Sequence, residues 1–318
     1  MPDEEFEHIP EIDGVPDLEK PKRGLPIAPE YQFEEEKPRR RRGPLFIVIG
    51  CLLACCLCCV LPICLCGGAI GVAAGIIMEN QATRSGVERV ALDRLDTPIT
   101  LDIDNRAGDI HITGDKNATE VAVEYTIHAF GWSNSEAQQN LRDIAVDVQS
   151  EADTVTVKIT QRDDGGNFVS NLDEMFSHVN LKITVPYDLY LKIQNSGEIS
   201  GIDFGIGTID IENVNAMGLD INSTFAEVRF DGALDPSGTF DVESNSYIEF
   251  TLPPKTYVYV DAETDTGSVT VNNFVVDGGS SSGDNSTTHW TGTLGTGTED
   301  PPTLRIRSNM GRIKIMSN

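Results

Sequence analysis

The sequence predicts an all-β outer domain wound as a β-solenoid, with one capping helix, preceded by a single transmembrane helix. Three observations carry this. The stretch from Leu45 to Met78 runs for 34 residues without a charge, against about 20 needed to cross a hydrocarbon core. Beyond it, β-branched residues alternate with acidic ones, and 29 glycines with only 7% aromatic residues suit a chain of many short strands and turns. A paired strand motif then recurs along the chain at a nearly constant period.

Residues 1–43 hold 12 acidic residues, 8 basic residues and seven prolines without helical or strand periodicity. Such a segment has too little apolar surface to offset chain entropy and is expected to be a disordered cytoplasmic tail. Pro26-Ile27-Ala28-Pro29 is a minimal polyproline II match within it. Lys37, Arg39, Arg40, Arg41 and Arg42 lie just before the apolar run, while Glu79 and Asn80 follow it. Under the positive-inside bias these cations set the topology, with the N-terminus cytoplasmic and the rest of the chain extracytoplasmic. Residues 44–78 then act as an uncleaved signal anchor, since so long a charged leader is unlike a cleavable signal peptide. A lipoprotein signal at Leu52-Leu53-Ala54-Cys55 is the rival reading, but the apolar run continues past that cysteine.

All seven cysteines fall between Cys51 and Cys66, so no disulfide scaffold can form elsewhere. Within the span they serve as small polarizable apolar residues, and Cys51, Cys55 and Cys56 are candidates for acylation near the cytoplasmic face. Residues 79–88 read as a linker and 89–318 as the outer domain.

In the outer domain one half-motif is Leu-x-Ile or a variant. Its partner, Gly-x-Ile-x-Ile or a variant, follows eight to eleven residues later, after a turn of Asn, Ser and Gly. The pair first occurs as LDIDNRAGDIHI from Leu101. It returns as LKIQNSGEIS from Leu191, LDINSTFAEVRF from Leu219, FDVESNSYIEF from Phe240, VYVDAETDTGSVTV from Val258 and LRIRSNMGRIKI from Leu304. In the central block second halves start at Ile209, Val228, Ile248 and Val269, spaced by 19, 20 and 21 residues. Two apolar residues one apart share a strand face. One such stripe is too small to stand alone, so successive coils must stack. A β-sandwich is the alternative, because short strands at this spacing suit it too.

An insert follows the first pair. Glu120 to Ala129 alternates as a strand. Ser133 and Glu136 form a capping box ahead of Ala137, Leu141 and Ile144, and the helix they start is expected to cap an open end of the coil. Val146 to Val148, Thr154 to Thr160 and Val179 to Val185 resume as strands, the last stopped by Pro186, with a Gly/Asp turn from Arg162 to Phe168. Asp277 to Gly297, rich in Gly, Ser and Thr, reads as a mobile loop.

The paired motif, this insert and the closing THWTGTLGTGTEDPPTLRIRSNMGRIKI from Thr288 together resemble the putative-adhesin family of bacterial β-strand-repeat envelope proteins, a domain of unknown function. The resemblance covers Arg89 to Ile315. It implies a right-handed β-helix-like domain of the cell envelope, linked to adhesion or envelope stress, and brings no catalytic residues. The cysteine-packed span and the stretch from Asp277 to Gly297 depart from it.

No short catalytic motif is present, and the four histidines of the outer domain, His111, His128, His178 and His289, have no spacing that gathers them. The protein is therefore not expected to be an enzyme, and no catalytic, cofactor or metal site is assigned. Zinc is not expected at these histidines, and the cation site the sequence suggests is for Ca²⁺, at Asp163-Asp164-Gly165-Gly166-Asn167. Asp210, Asp220, Asp241 and Glu249 sit between paired apolar residues and should form a solvated outward acidic face. Trp290, in the Gly/Thr-rich stretch, is a candidate glycan contact.

The net charge is −26, with 38 acidic and 16 basic residues falling in residues 79–318, which argues against a nucleic-acid partner. Expected partners are the lipid bilayer and envelope polymers or proteins. The leading function is a structural or adhesin-like interaction module of the envelope. An envelope-stress sensor signalling through the tail and a glycan-active β-helix enzyme are the alternatives.

Overall fold

The computed structural model describes residues 79–92, 97–162, 176–199, 202–204, 206–277, 289–298 and 300–318. Among them no helix is long and apolar enough to cross a membrane. The apolar run, the five topology-setting cations, Cys51, Cys55, Cys56 and the Ca²⁺ candidate at Asp163–Asn167 lie outside the described residues.

The described residues are all-β with one helix. In order it forms β1 (Gln81–Ala91), β2 (Ile99–Asn105), β3 (Ile110–Asp115), β4 (Glu120–Phe130), α1 (Asn134–Asp143), β5 (Ile144–Glu151), β6 (Thr154–Gln161), β7 (His178–Pro186) and β8 (Asp188–Asn195). It continues with β9 (Gly197–Ile199), β10 (Ile202–Phe204), β11 (Thr208–Ser223), β12 (Glu227–Leu234), β13 (Phe240–Ser244), β14 (Ile248–Leu252) and β15 (Val258–Thr264). The last are β16 (Val269–Asn272), β17 (Val276–Asp277), β18 (His289–Leu294), β19 (Thr303–Ser308) and β20 (Ile313–Ser317).

These strands stack in two parallel rows. The first runs β6-β2-β8-β11-β13-β19-β15. The second runs β7-β3-β11-β12-β14-β20-β16. β11 serves both: Thr208–Glu212 pairs in the second row and Leu219–Ser223 in the first, with register shifts on either side of Asn213 and between Ala216 and Gly218. Parallel pairing of this extent decides against the β-sandwich, whose sheets are antiparallel. The alternation puts Leu101, Ile103, Ile110 and Ile112, and their counterparts on every rung, into one continuous core. Within it the rings of Phe230 and Phe250, on adjacent strands of the second row, stack with centroids 5.1 Å apart.

Where the chain leaves the first row, a column of buried polar residues lines the corner. Asn105 lies beside Asn195, Asn195 beside Ser223, Ser223 beside Ser244 and Ser308 beside Thr264. The serine and threonine hydroxyls satisfy backbone groups that the turns leave without ladder partners. Asn105 Nδ2 donates to the Val179 carbonyl at 3.2 Å, whereas Asn105 Oδ1 and both polar side-chain atoms of Asn195 are buried without a hydrogen-bond partner among the described residues. Ser223 Oγ accepts from Ala226 N–H at 3.0 Å and Ser308 Oγ from Gly311 N–H at 2.8 Å. Ser244 Oγ donates to the Ala226 carbonyl at 2.6 Å, Ser308 Oγ to that of Ser246 at 2.9 Å, and Thr264 Oγ1 to that of Gly311 at 2.8 Å. Each hydroxyl therefore ties its own turn or the neighbouring rung's turn into the stack.

One end is closed by antiparallel strands and the helix. β4 pairs with β7 and carries β1 outside it, while β5 pairs with β6. α1 packs on β1, β4 and β5, as expected of a cap, and Arg84 Nη2 donates to the Ile144 carbonyl at 2.7 Å, joining β1 to β5. Ser133 is the N-cap, accepting from Glu136 N–H at 3.3 Å. Glu136 returns the contact to the Trp132 N–H at 3.0 Å, one residue earlier than in the usual box. Ile144 begins β5 and is not part of the helix. At the other end β18 pairs antiparallel with β15 and with β17.

Four expectations need correction. The segment read as a linker, 79–88, belongs largely to β1, because its polar residues pair along β4 from Gln81 to Ala91. The second half of the Leu191 copy is not Gly197–Ile199, which folds into a hairpin with β10; the matching strand begins at Thr208. Coils do not stack in sequence order: Ile209 pairs with Val228 and Val228 with Ile248, but Ile313 stands between Ile248 and Val269. Part of the stretch read as a loop, His289–Leu294, is a strand.

Candidate functional site

On the outside of each rung one residue stands between two buried apolar neighbours. In the second row the register aligns Glu124, Lys182, His111, Asp210, Arg229, Glu249, Lys314 and Thr270. The signs largely alternate, so most neighbours attract. His111 Nδ1 lies 3.3 Å from Asp210 Oδ2 and Lys314 Nζ 2.9 Å from Glu249 Oε1, while Arg229 reaches back to Glu227 at 2.8 Å. The first row aligns Thr156, Asp102, Lys192, Asp220, Asp241, Arg305 and Asp261. Lys192 pairs with Asp102 at 3.1 Å and Arg305 with Asp241 at 3.5 Å. Asp210, Asp220, Asp241 and Glu249 do face outward, but they interleave with cations instead of forming a purely acidic face.

Two carboxylates are held in their charged form. Two-point contact with Arg307, whose Nη2 donates to Asp261 Oδ2 at 2.8 Å, lowers the Asp261 pKa against the opposing effect of burial, and His289 adds to it. At Glu249 burial acts upward, but hydrogen bonds from Tyr247 and Lys314 outweigh it and the pKa is lowered; Tyr247 is pushed up, by burial first and then by its bond to Glu249. A depressed folded pKa adds stability above the unfolded value of about 3.9 for Asp, lost as pH falls through the folded value. Asp261→Asn is therefore expected to destabilise the domain by about 1 kcal/mol at pH 7, and the gap to wild type should be narrower at about pH 3, below the unfolded carboxylate value. Urea melts at the two pH values check this; a gap unchanged by acid would contradict it.

The histidines, which sequence spacing left scattered, fall into three settings. His128 and His178 stack with ring centroids 4.8 Å apart, and burial together with the His178 charge lowers the His128 pKa. His289 Nε2 lies 3.1 Å from Asp261 Oδ1. His111 joins Asp210 and Glu212, one potential ligand atom of each lying within 4.8 Å of the others. His111 and Asp210 are 99 residues apart, and the sequence signal that could have joined them is that Ile110-His111-Ile112 and Ile209-Asp210-Ile211 hold the same position in the repeat.

Trp290 is not on a loop. It lies on β18 opposite Ala262 and is only 8% exposed, so its ring faces the core and is not offered for glycan stacking. Three aromatics are exposed among the described residues: Phe225 at 39%, Tyr259 at 37% and, most of all, Tyr190 on β8 at 43%. It borders a groove of about 570 Å³ on the outer side of the first row, with Lys192, Asp220, Asp241, Ser237 and Thr239 around it. A Cβ at Gly218 would press to 2.8 Å from the Tyr190 ring, so the absent side chain makes room for it.

A stack of parallel β-rungs bearing its polar groups on its outer faces defines an all-β repeat protein. Its fold is shared with a crystal structure described as a putative cell adhesion protein from Clostridium sporogenes. The two align with a TM-score of 0.51 at 13% identity, over 74% of this chain and 100% of that one. A structure described as a putative adhesin from Bacteroides fragilis aligns over 73% of this chain and 97% of that one, at 9% identity and a TM-score of 0.28. The first of these carries the comparison, and what it establishes is the fold, in agreement with the resemblance read from the repeat. No protein-family model matches the chain, and no curated protein does.

Proposed function

We propose that the chain is a membrane-anchored, extracytoplasmic interaction module of the cell envelope, adhesin-like and binding rather than catalytic. On this reading the Leu45–Met78 run holds it in the bilayer and the coil stack projects outward. Its winding is right-handed, following the general handedness of parallel β crossovers.

The observation that carries this reading is the outer side of the first row. Rungs about 4.8 Å apart repeat one outward group each, and the groove beside Tyr190 sets a flat ring among hydroxyl, carboxylate and ammonium groups. That combination suits an extended polar polymer such as an envelope glycan, whose apolar ring faces stack on aromatics while its hydroxyls bond to charged and polar neighbours. The fold neighbour described as a putative cell adhesion protein supports the same class.

The test is a pull-down of envelope polymers by the purified full-length chain, with Tyr190→Ala in parallel. Retention of glycan by wild type and at least a tenfold loss in the variant are expected. Equal retention by both proteins, or none by wild type, would refute the groove as the contact.

A further inference from the structure

We propose that His111, Asp210 and Glu212 bind a divalent transition-metal ion of the zinc class on the outer face of the second row. The site is independent of the Tyr190 groove, which lies on the first row.

The backbone fixes its two central ligands. His111 and Asp210 are direct register partners on β3 and β11, at the middle of rungs whose flanking residues, Ile110, Ile112, Ile209 and Ile211, are fully buried. Their side chains therefore rise side by side from a rigid surface. His111 Nδ1 and Asp210 Oδ2 are 3.3 Å apart. Two donors each about 2.0–2.1 Å from a tetrahedral ion stand about 3.4 Å apart, so the separation of these two atoms already matches that of a shared ion. Glu212, two residues on and on the same outward face, is half of a longer approach, with all three ligand atoms inside 4.8 Å. A change of its side-chain torsions covers the remaining distance.

The imidazole is already oriented. Thr113 Oγ1 lies 3.1 Å from His111 Nε2, a contact that aims Nδ1 at Asp210. The surrounding charge favours a cation. Glu212 has Asp231 as its register neighbour on β12, and the same column continues with Thr113 on one side and Thr251 on the other, with no base in it. Of the flanking cations, Arg229 is held by Glu227, and Lys182 has Glu124 beside it. One imidazole nitrogen and two carboxylates select a borderline ion such as Zn²⁺ over Ca²⁺, which takes six to eight oxygens. Three protein ligands leave at least one position open to water or an outside donor.

The experiment is calorimetric titration of the full-length chain with ZnCl₂, its cysteines alkylated beforehand. Wild type is expected to bind one ion more than His111→Ala, and Glu212→Gln to weaken that site at least tenfold. His128→Ala, which removes the other clustered histidine, should leave it within twofold. CaCl₂ at millimolar concentration should not compete. Should His111→Ala fold poorly by circular dichroism, the Zn²⁺-induced shift of the His111 ring resonances in wild type gives the same answer. Equal stoichiometry in wild type and His111→Ala, loss of the site in His128→Ala, displacement by Ca²⁺, or unshifted His111 resonances would each overturn the proposal.

Discussion

Deletion of residues 303–318 is expected to dismantle two rungs of the stack, and with them the cooperative fold, although only 16 residues leave the chain end. β19 lies between β13 and β15, and β20 between β14 and β16, so the closing strands are internal in space. Their removal takes away Leu304, Ile306, Ile313 and Ile315, all fully buried. It also strips the ladder from both neighbours on each side. Loss of four such aliphatic side chains costs on the order of 10 kcal/mol, comparable with the whole stability of a domain at roughly 5–15 kcal/mol. The β15–β18 segment, from Val258 to Leu294, would then have no parallel neighbour in either row. Circular dichroism melts should lose their sigmoidal transition, and limited proteolysis should cut within 253–294. A truncated chain that keeps the wild-type midpoint and protects that segment would mean that the coils stack in sequence order after all.

That intercalation marks the limit of what the repeat alone conveys. Strand positions were legible because inward residues alternate with outward ones at every rung, and the helix because Ser133 and Glu136 announce its start ahead of Ala137 and Leu141. Rung order was not. Ile313 and Val269 carry the same local pattern as Ile248, and either would sit equally well on β14; the choice rests on corner contacts between distant segments, such as the Ser308 hydroxyl on the Ser246 carbonyl. The hairpin after Asn195 hid a strand for a related reason, because Gly197–Ile199 imitates a half-motif while pairing locally with β10.

Site residues were less legible than the fold. Trp290 was read from its Gly/Thr-rich neighbours as loop-borne, yet β18 uses it as an inward residue against β15. Outward acids were correctly placed, but their meaning depended on register: Asp210 faces His111 and Arg229, whereas Asp220 faces Lys192 and Asp241. A strand pattern fixes which face a side chain takes and leaves open which side chain from 99 residues away will stand next to it.

The corner is where a single atom is expected to matter most. Gly311 turns the chain into β20; its N–H donates to Ser308 Oγ and its carbonyl accepts from Thr264 Oγ1, both at 2.8 Å. A Cβ there would fall inside the contact distance of the Ser246 carbonyl and 2.7 Å from Ser308 Oγ. The obstruction is backbone of the adjacent turn, not the tip of a flexible side chain, so relief requires the two rungs to part. Parting them breaks the Ser308 to Ser246 bond and loosens Ile248 from Ile313, which pair just beyond. Gly311→Ala is expected to cost about 3 kcal/mol and to lower the melting temperature by about 6–12 °C for a domain of this size. Gly311→Val should cost more, since a branched Cβ adds a second clash. Met310→Ala, one residue away and 61% exposed, should change little and serves as the control. Were Gly311→Ala to melt with wild type, the turns would be free to separate, and the polar corner could not be what keeps successive rungs in register.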